Sequence, residues 1–202
     1  MMQYEVKIIN SNVDWNEIPN MNIACQYPGN SDLIEAYAQL CCDSEAFYVH
    51  MLTTEPETRA VEKGPLGMPC EDSCLEFFIS PIDGDKRYFN IEYNSNGCMY
   101  LGIGSYIENL VRLIPEDAAE IFSPKIKKNE KGWEIFYKIP YAFMRRFFPE
   151  FEIYEGKFIM ANFYKCSDLG NYPHYLSWSP IIGEPFTFHR PECFGKMKLI
   201  KE

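Results

Sequence analysis

Short runs of β-prone residues separated by turn signals recur along most of this chain, and a sustained 3.6-residue apolar period is nearly absent. The pattern predicts an all-β fold. The predicted strands are Tyr4–Ile9, Leu33–Cys42, Ala46–Thr53, Ser73–Ser80, Tyr88–Asn94, Met99–Ile103, Ser123–Lys128, Trp133–Ile139, Lys157–Lys165 and Gly195–Ile200. Ten strands exceed what one open sheet holds comfortably, so we expect a single domain over residues 1–202, a jelly-roll-like sandwich of two antiparallel sheets.

The predicted strands are joined by well-marked turns. Asp83-Gly84-Asp85, Asn94-Ser95-Asn96-Gly97 and Asn129-Glu130-Lys131-Gly132 each separate two strands and supply residues that tolerate positive φ. These three turns predict hairpins. Pro140 suits the first turn of a helix that ends before Pro149, so one short helix is expected there.

Charge and composition exclude several classes of partner. The formal net charge is −10, and such a field repels nucleic acid and anionic membranes. The start, MMQYEVKIIN, has no secretory signal, and no apolar run approaches the length of a membrane span. We therefore expect a cytoplasmic protein whose eight cysteines are buried free thiols, although an extracellular protein whose signal has been removed would look the same.

Two long segments resist assignment to strands and are candidates for the walls of a site. Residues 54–72 combine three prolines and two glycines with charge, and residues 167–194 are rich in aromatic side chains. We call them the first loop and the second loop. Long irregular segments inside a compact domain are often functional, and these two would bound a site if they reach the same edge of the sandwich.

Familiar catalytic signatures are missing, but two strands carry polar side chains on one face. There is no nucleophile elbow, P-loop or dinucleotide fingerprint, and the three histidines have no zinc-motif spacing. In residues 74–80 and 88–94, Glu76, Asn90 and Glu92 are out of phase with the apolar core positions. Two carboxylates and amides among rings suit the hydroxyls and C–H faces of a sugar, although an ordinary solvated sheet face would look the same.

Several motifs, in order, resemble the family-9 carbohydrate-binding modules and their stand-alone relatives. They are Glu71-Asp72-Ser73-Cys74-Leu75-Glu76-Phe77-Phe78-Ile79-Ser80-Pro81, Tyr88-Phe89-Asn90-Ile91-Glu92-Tyr93-Asn94, Gly132-Trp133-Glu134, Ala161-Asn162-Phe163-Tyr164-Lys165-Cys166, His174-Tyr175-Leu176-Ser177-Trp178-Ser179-Pro180 and Phe188-His189-Arg190-Pro191-Glu192-Cys193-Phe194-Gly195. The resemblance covers most of the chain from about residue 46 onward. It implies a β-sandwich that binds sugars without cleaving them.

The resemblance also implies the kind of site found in the better-known members of that family, in which two tryptophans hold a terminal sugar. Trp178 matches the later one, whereas residues 64–70 contain no aromatic where the earlier one belongs, so Tyr172 or Tyr175 would have to serve. The family also implies that no cofactor is required, apart from structural calcium. Asp83-Gly84-Asp85 or Glu71-Asp72 could supply oxygen ligands for it, although an Asp-Gly turn alone explains the former.

The hypothesis is that side chains from distant segments meet on one concave face and bind carbohydrate. They are Glu76, Asn90, Glu92, Asn162, Lys165, His174, Tyr175 and Trp178. Asn162 is expected on that face, with Lys165 reaching it only from the rim. Two alternatives stay open, namely a hydrolase that uses Glu76 and Glu92 and a protein-interaction module with a large exposed apolar patch.

Overall fold

The computed structural model describes residues 2–10, 12–29 and 31–201, and strands dominate them. The strands are β1 (Gln3–Ile8), β2 (Met21–Asn22), β3 (Cys25–Gln26), β4 (Glu35–Cys42), β5 (Ala46–Thr54), β6 (Cys74–Ser80), β7 (Tyr88–Asn94), β8 (Met99–Gly104), β9 (Val111–Arg112), β10 (Lys125–Asn129), β11 (Gly132–Pro140), β12 (Phe158–Ser167), β13 (His174–Ser177) and β14 (Gly195–Lys201). All ten predicted strands are present, which confirms the all-β prediction. The four additional strands have two to four residues each.

Helices are few and short. The α-helices are α1 (Ala118–Phe122) and α2 (Tyr141–Met144), and 3-10 turns occupy Trp15–Glu17, Ser31–Leu33, Pro69–Glu71, Ile107–Asn109 and Pro191–Cys193. The predicted helix after Pro140 is α2, whereas α1 was not predicted. In the described part of the chain, no helix has the length and apolar character needed to span a membrane.

The strands form one sheet that curls into two layers. The main hydrogen-bonded order is β10-β11-β5-β4-β1-β14-β12-β6-β7-β8-β9, with β13 added beside β12 and β3, and β2 beside β4. The prediction of purely antiparallel pairing is wrong at β1, which runs parallel to both β4 and β14. β1 and β14 lie side by side and connect β4 to β12 in the hydrogen-bonded order.

The main core lies between the layers, as the two-residue period of the strands dictates. Leu75, Phe77 and Ile79 of β6 are buried there, and Phe163 of β12 stacks on Phe77 with ring centroids 4.3 Å apart. Ala, Leu and Phe side chains from both layers complete this core. Burial of this apolar surface is the main stabilising contribution to the fold.

The opposite face of the same strands carries a second, smaller apolar cluster. Cys74 and Phe78 of β6 pack there with Tyr164 of β12, and the second loop covers them with Phe188 and Phe194. We call this side of β6, β7, β8, β12 and β13 the site face. The phase predicted for β6 and β7 is therefore confirmed, since their polar residues share the site face with these side chains.

Candidate functional site

A cavity of about 640 Å³ opens on the site face. Glu76, Asn90 and Glu92 form its floor, while Tyr100 and Tyr175 belong to its walls. Both long loops reach the cavity. The first loop contributes Met68 and Cys70, and the second contributes six lining residues, namely Asp168, Tyr175, Phe186, Thr187, Phe188 and His189. The expectation that the two loops would wall one site is thus confirmed. A cavity of this size is within the range that holds small ligands.

Strand register brings the floor together. Glu76 of β6 pairs directly with Glu92 of β7, and Glu92 pairs with Tyr100 of β8. Side chains of directly opposed residues share a face with their Cβ atoms about 4.5–5.5 Å apart. A row of two carboxyl groups and one phenol ring therefore crosses the floor.

Hydrogen bonds between neighbouring side chains use only part of the floor's acceptor capacity. Asn90 Nδ2 donates to Glu92 Oε1 at 2.8 Å, and Cys166 Sγ donates to Glu76 Oε1 at 3.0 Å. Asn90 Oδ1 and Glu92 Oε2 are buried and accept no hydrogen bond from any described residue. Leaving buried polar atoms without partners is costly, so these two oxygens have acceptor capacity that the described residues do not use.

Burial controls the ionisation of the two floor carboxyl groups. It raises the pKa of Glu92 from 4.5 to about 7. Burial first, and the charge of Glu92 second, raise the pKa of Glu76 well above its usual value. Both carboxyl groups therefore hold their protons to higher pH than an exposed glutamate does, and Glu92 is divided between its two forms near neutral pH.

One wall is held in place by a cation. The Arg112 guanidinium carbon lies 4.5 Å from the centroid of the Tyr100 ring. Arg112 also donates to the carbonyl oxygens of Leu66 at 3.2 Å and Gly67 at 2.5 Å. Arg112 thus fixes the Tyr100 ring and ties the first loop to β8, so this wall is formed before any ligand arrives.

The opposite wall is aromatic. The rings of Tyr175 and Phe186 meet edge to face at 5.7 Å, and Phe188 stacks on the buried Tyr164 at 4.3 Å. Burial, followed by the charge of Asp168, raises the pKa of Tyr175 to about 12, so its hydroxyl remains a donor. Burial lowers the pKa of His189 to about 4, so this cavity-lining imidazole is neutral.

The first loop is anchored by the carboxylate of Asp72. It pairs with Arg59 and accepts hydrogen bonds from Asn94 Nδ2 at 2.8 Å and the Glu62 amide at 2.7 Å. The other carboxylate considered for calcium, Asp85, pairs with Arg87 at 2.6 Å. Asp72 and Asp85 thus already have arginine partners, and structural calcium at either motif stays a prediction.

Lys165 and His174 lie on the other face of their strands and do not reach the cavity. Lys165 is fully buried, and its Nζ lies 2.9 Å from Glu55 Oε2 and 3.1 Å from Ser73 Oγ. His174 precedes Tyr175 on β13 and so points away from the site, where burial lowers its pKa to about 4. The expectation that Lys165 would reach the ligand region from the rim is wrong, because its ammonium is used inside the fold.

Asn162 and Trp178 are also used structurally. Asn162 is on the site face as expected, but it is covered by the second loop, since its Nδ2 donates to Ser179 O at 2.9 Å. Trp178 is 3% exposed and packs in the main core over Gly195, where an added Cβ would come within 2.2 Å of the indole. A stacking role for Trp178 is therefore not compatible with its position.

Of the eight predicted site residues, Glu76, Asn90, Glu92 and Tyr175 line the cavity. Tyr100, Cys166 and His189 line it as well and were not predicted. Tyr100 could have been found, because the Asn94–Gly97 turn fixes the hairpin register that places it opposite Glu92. No local signal identifies His189, whose position depends on the path of the second loop.

Comparisons with known proteins agree with one another. The family model of carbohydrate-binding family 9 matches residues 3–199. A solved structure from Bacteroides uniformis ATCC 8492, provisionally named a carbohydrate-binding protein, is 26% identical with a TM-score of 0.79 and covers 98% of this chain and 99% of its own. No curated protein matches the chain significantly.

Two further solved structures have the same fold. They are of a family 9 carbohydrate-binding module from Caldicellulosiruptor kristjanssonii, one in complex with cellotriose and one with glucose. Each is 14% identical with a TM-score of 0.70 and covers 99% of this chain, with 94% and 96% of the module's own chain covered respectively.

Proposed function

The chain belongs to carbohydrate-binding family 9, and from this premise we propose that it binds carbohydrate without cleaving it, in the cavity above Glu76, Asn90 and Glu92. The observation that carries the proposal is the pair of buried, unpartnered acceptors, Asn90 Oδ1 and Glu92 Oε2, on the floor between aromatic walls. Family membership supports carbohydrate as the class of ligand, and the unpartnered acceptors on the cavity floor support this cavity as the binding site.

The floor matches the hydrogen-bonding needs of a pyranose. Each sugar hydroxyl can both donate and accept, so ionised Glu92 and the Asn90 oxygen would accept from hydroxyls, and the Glu76 carboxyl would offer a further hydrogen-bonding group. Tyr100 and Tyr175 offer ring surface for the sugar's C–H faces. They thereby occupy the role that the family resemblance assigns to two tryptophans.

The hydrolase alternative is less well supported. A glycosidase places its two carboxyl groups on either side of the scissile bond. Glu76 and Glu92 instead lie side by side on adjacent strands of one floor, and each already accepts a hydrogen bond from a neighbour. This arrangement suits recognition of hydroxyls from one side.

Calorimetric titration with glucose, cellobiose and cellotriose tests the proposal. We expect binding by the unmodified chain. Tyr175→Ala should weaken it about tenfold or more, since truncation of a central contact typically costs 1–3 kcal/mol. Tyr154→Ala is the matched control, because Tyr154 is 57% exposed and outside the cavity.

Two results would contradict the proposal. One is equal affinity in the Tyr175→Ala and Tyr154→Ala proteins, which would place the sugar elsewhere. The other is failure to bind any member of a broad glycan panel. Release of product from nitrophenyl glycosides, abolished by Glu76→Gln, would instead establish the hydrolase.

A further inference from the structure

A cluster of thiols and a carboxyl lies under one side of the cavity floor. Cys74 of β6 is directly opposite Cys166 of β12, and Glu76 follows two residues later on the same face of β6. One potential ligand atom from each, Cys74 Sγ, Cys166 Sγ and a Glu76 carboxyl oxygen, lies within 4.8 Å of the others. All three side chains are buried.

We propose that Cys74, Cys166 and Glu76 form a site for a thiophilic divalent cation, with zinc as the best match. Zinc bonds thiolate sulfur at about 2.3 Å and carboxylate oxygen at about 2.0–2.2 Å in tetrahedral geometry, which places ligand atoms ~3.5–4 Å apart. Cys166 Sγ lies 3.0 Å from Glu76 Oε1, and the three ligand atoms all lie within 4.8 Å of one another, so side-chain rotations that move these atoms by about 1 Å would bring them to that spacing. Glu76 and Cys166 line the cavity together with Cys70, so water from the cavity or the Cys70 thiol could supply a fourth ligand.

The charge around the cluster favours a cation. Glu92 and Asp168 line the same cavity, and no described lining residue is a lysine or arginine. Glu92 Oε2, itself buried, has no hydrogen-bond partner among the described residues. The two thiols and the neighbouring carboxyl groups are buried and therefore hold their protons tightly. A divalent cation that replaces those protons would balance the negative charge of the thiolates and the carboxylate.

Ligand chemistry selects the metal. Calcium and magnesium require several oxygen ligands, whereas two thiolates with one carboxylate suit a borderline-soft ion. Binding converts both thiols to thiolates and leaves Glu76 ionised, so up to three protons pass to solvent for each ion bound. Affinity must therefore rise steeply with pH. The metal site rests on the placement of Cys74, Cys166 and Glu76 and does not require sugar binding; a cation on Glu76 would leave Asn90 and Glu92 as the floor groups open to a sugar.

Titration of the reduced, chelator-treated chain with Co²⁺ and Zn²⁺ tests the site. We expect one equivalent of Co²⁺ to give tetrahedral d–d bands and a thiolate-to-cobalt charge-transfer band, with Zn²⁺ displacing it and millimolar Ca²⁺ failing to. Cys166→Ser should lose the charge-transfer intensity of one thiolate and weaken Zn²⁺ binding more than tenfold. Cys193→Ser is the control, since Cys193 is half-buried and outside the cluster.

Glu76→Gln keeps both thiols, so it guards against loss of folding in the cysteine variant. It should also weaken Zn²⁺ binding more than tenfold while thermal melting shows a folded chain. The proposal is overturned if the unmodified chain gives no charge-transfer band. It is equally overturned if Cys193→Ser weakens binding as much as Cys166→Ser, or if Ca²⁺ displaces Co²⁺.

Discussion

Sugar affinity should depend on pH through Glu92. Burial raises the pKa of this carboxyl from 4.5 to about 7. Glu92 lines the cavity, and its Oε2 has no hydrogen-bond partner among the described residues. A sugar hydroxyl that donates to Oε2 favours the ionised form, so binding expels the proton and affinity increases with pH. Burial, followed by the charge of Glu92, also raises the pKa of Glu76 well above its usual value.

The size of the effect follows from the ionised fraction. With a pKa of about 7, roughly 1% of Glu92 is ionised at pH 5 and roughly 90% at pH 8. If only the ionised form accepts the hydroxyl, affinity should rise by about 90-fold between these two values. That change corresponds to about 2.7 kcal/mol of binding free energy.

Calorimetry at pH 5, 6, 7 and 8, in buffers with different ionisation enthalpies and with a metal chelator, measures both affinity and proton release. Glu92→Gln removes the titrating group, and its affinity should vary less than threefold over the range. Glu130→Gln, in the exposed β10–β11 turn, should keep the full dependence. A flat profile for the unmodified chain, or affinity that falls as pH rises, would refute the reasoning.

Three further predictions concern stability. The raised pKa of Glu92 means that ionisation of this carboxyl is penalised in the folded state, so the folding stability falls as pH rises from about 4.5 through 7. In urea denaturation, the free energy of unfolding of Glu92→Gln, relative to that of the unmodified chain, should therefore increase by about 3 kcal/mol between pH 4 and pH 8. Trp178→Ala should cost about 3–5 kcal/mol, yet Trp178→Phe should retain sugar affinity within twofold; a tenfold loss in a well-folded Phe variant would restore a ligand-stacking role. Lys165→Met leaves the buried Glu55 carboxylate without its cation and should lower the free energy of unfolding by about 3–5 kcal/mol. Adding Glu55→Gln should recover part of this loss, and an unchanged urea midpoint for Lys165→Met alone would argue against a buried ion pair.

The sequence was most informative where a side chain's direction is set locally. The two-residue period of β6 and β7 places Glu76, Asn90 and Glu92 opposite the core side chains, and hairpin register then brings them together. The same period separates neighbours, so Tyr175 faces the site and His174 does not. Applied to residues 174–178, it also puts Trp178 in phase with the core residue Leu176.

Positions that depend on loop paths could not be predicted from these patterns. Asn162 has the correct phase but is covered by the loop residue Ser179, a contact between segments 17 residues apart. The ammonium of Lys165 finds Glu55, which lies 110 positions earlier in the first loop. Neither partner is specified by spacing, since both result from how the loops pack on the finished sheet.

A crystal structure of the chain with bound glucose or cellotriose tests the central claim most directly. The account predicts a sugar ring in the cavity, with hydroxyls 2.6–3.2 Å from Glu92 Oε2 and Asn90 Oδ1 and with Tyr100 or Tyr175 against a C–H face. Density for the sugar on any other surface, with the floor acceptors uncontacted, would contradict it.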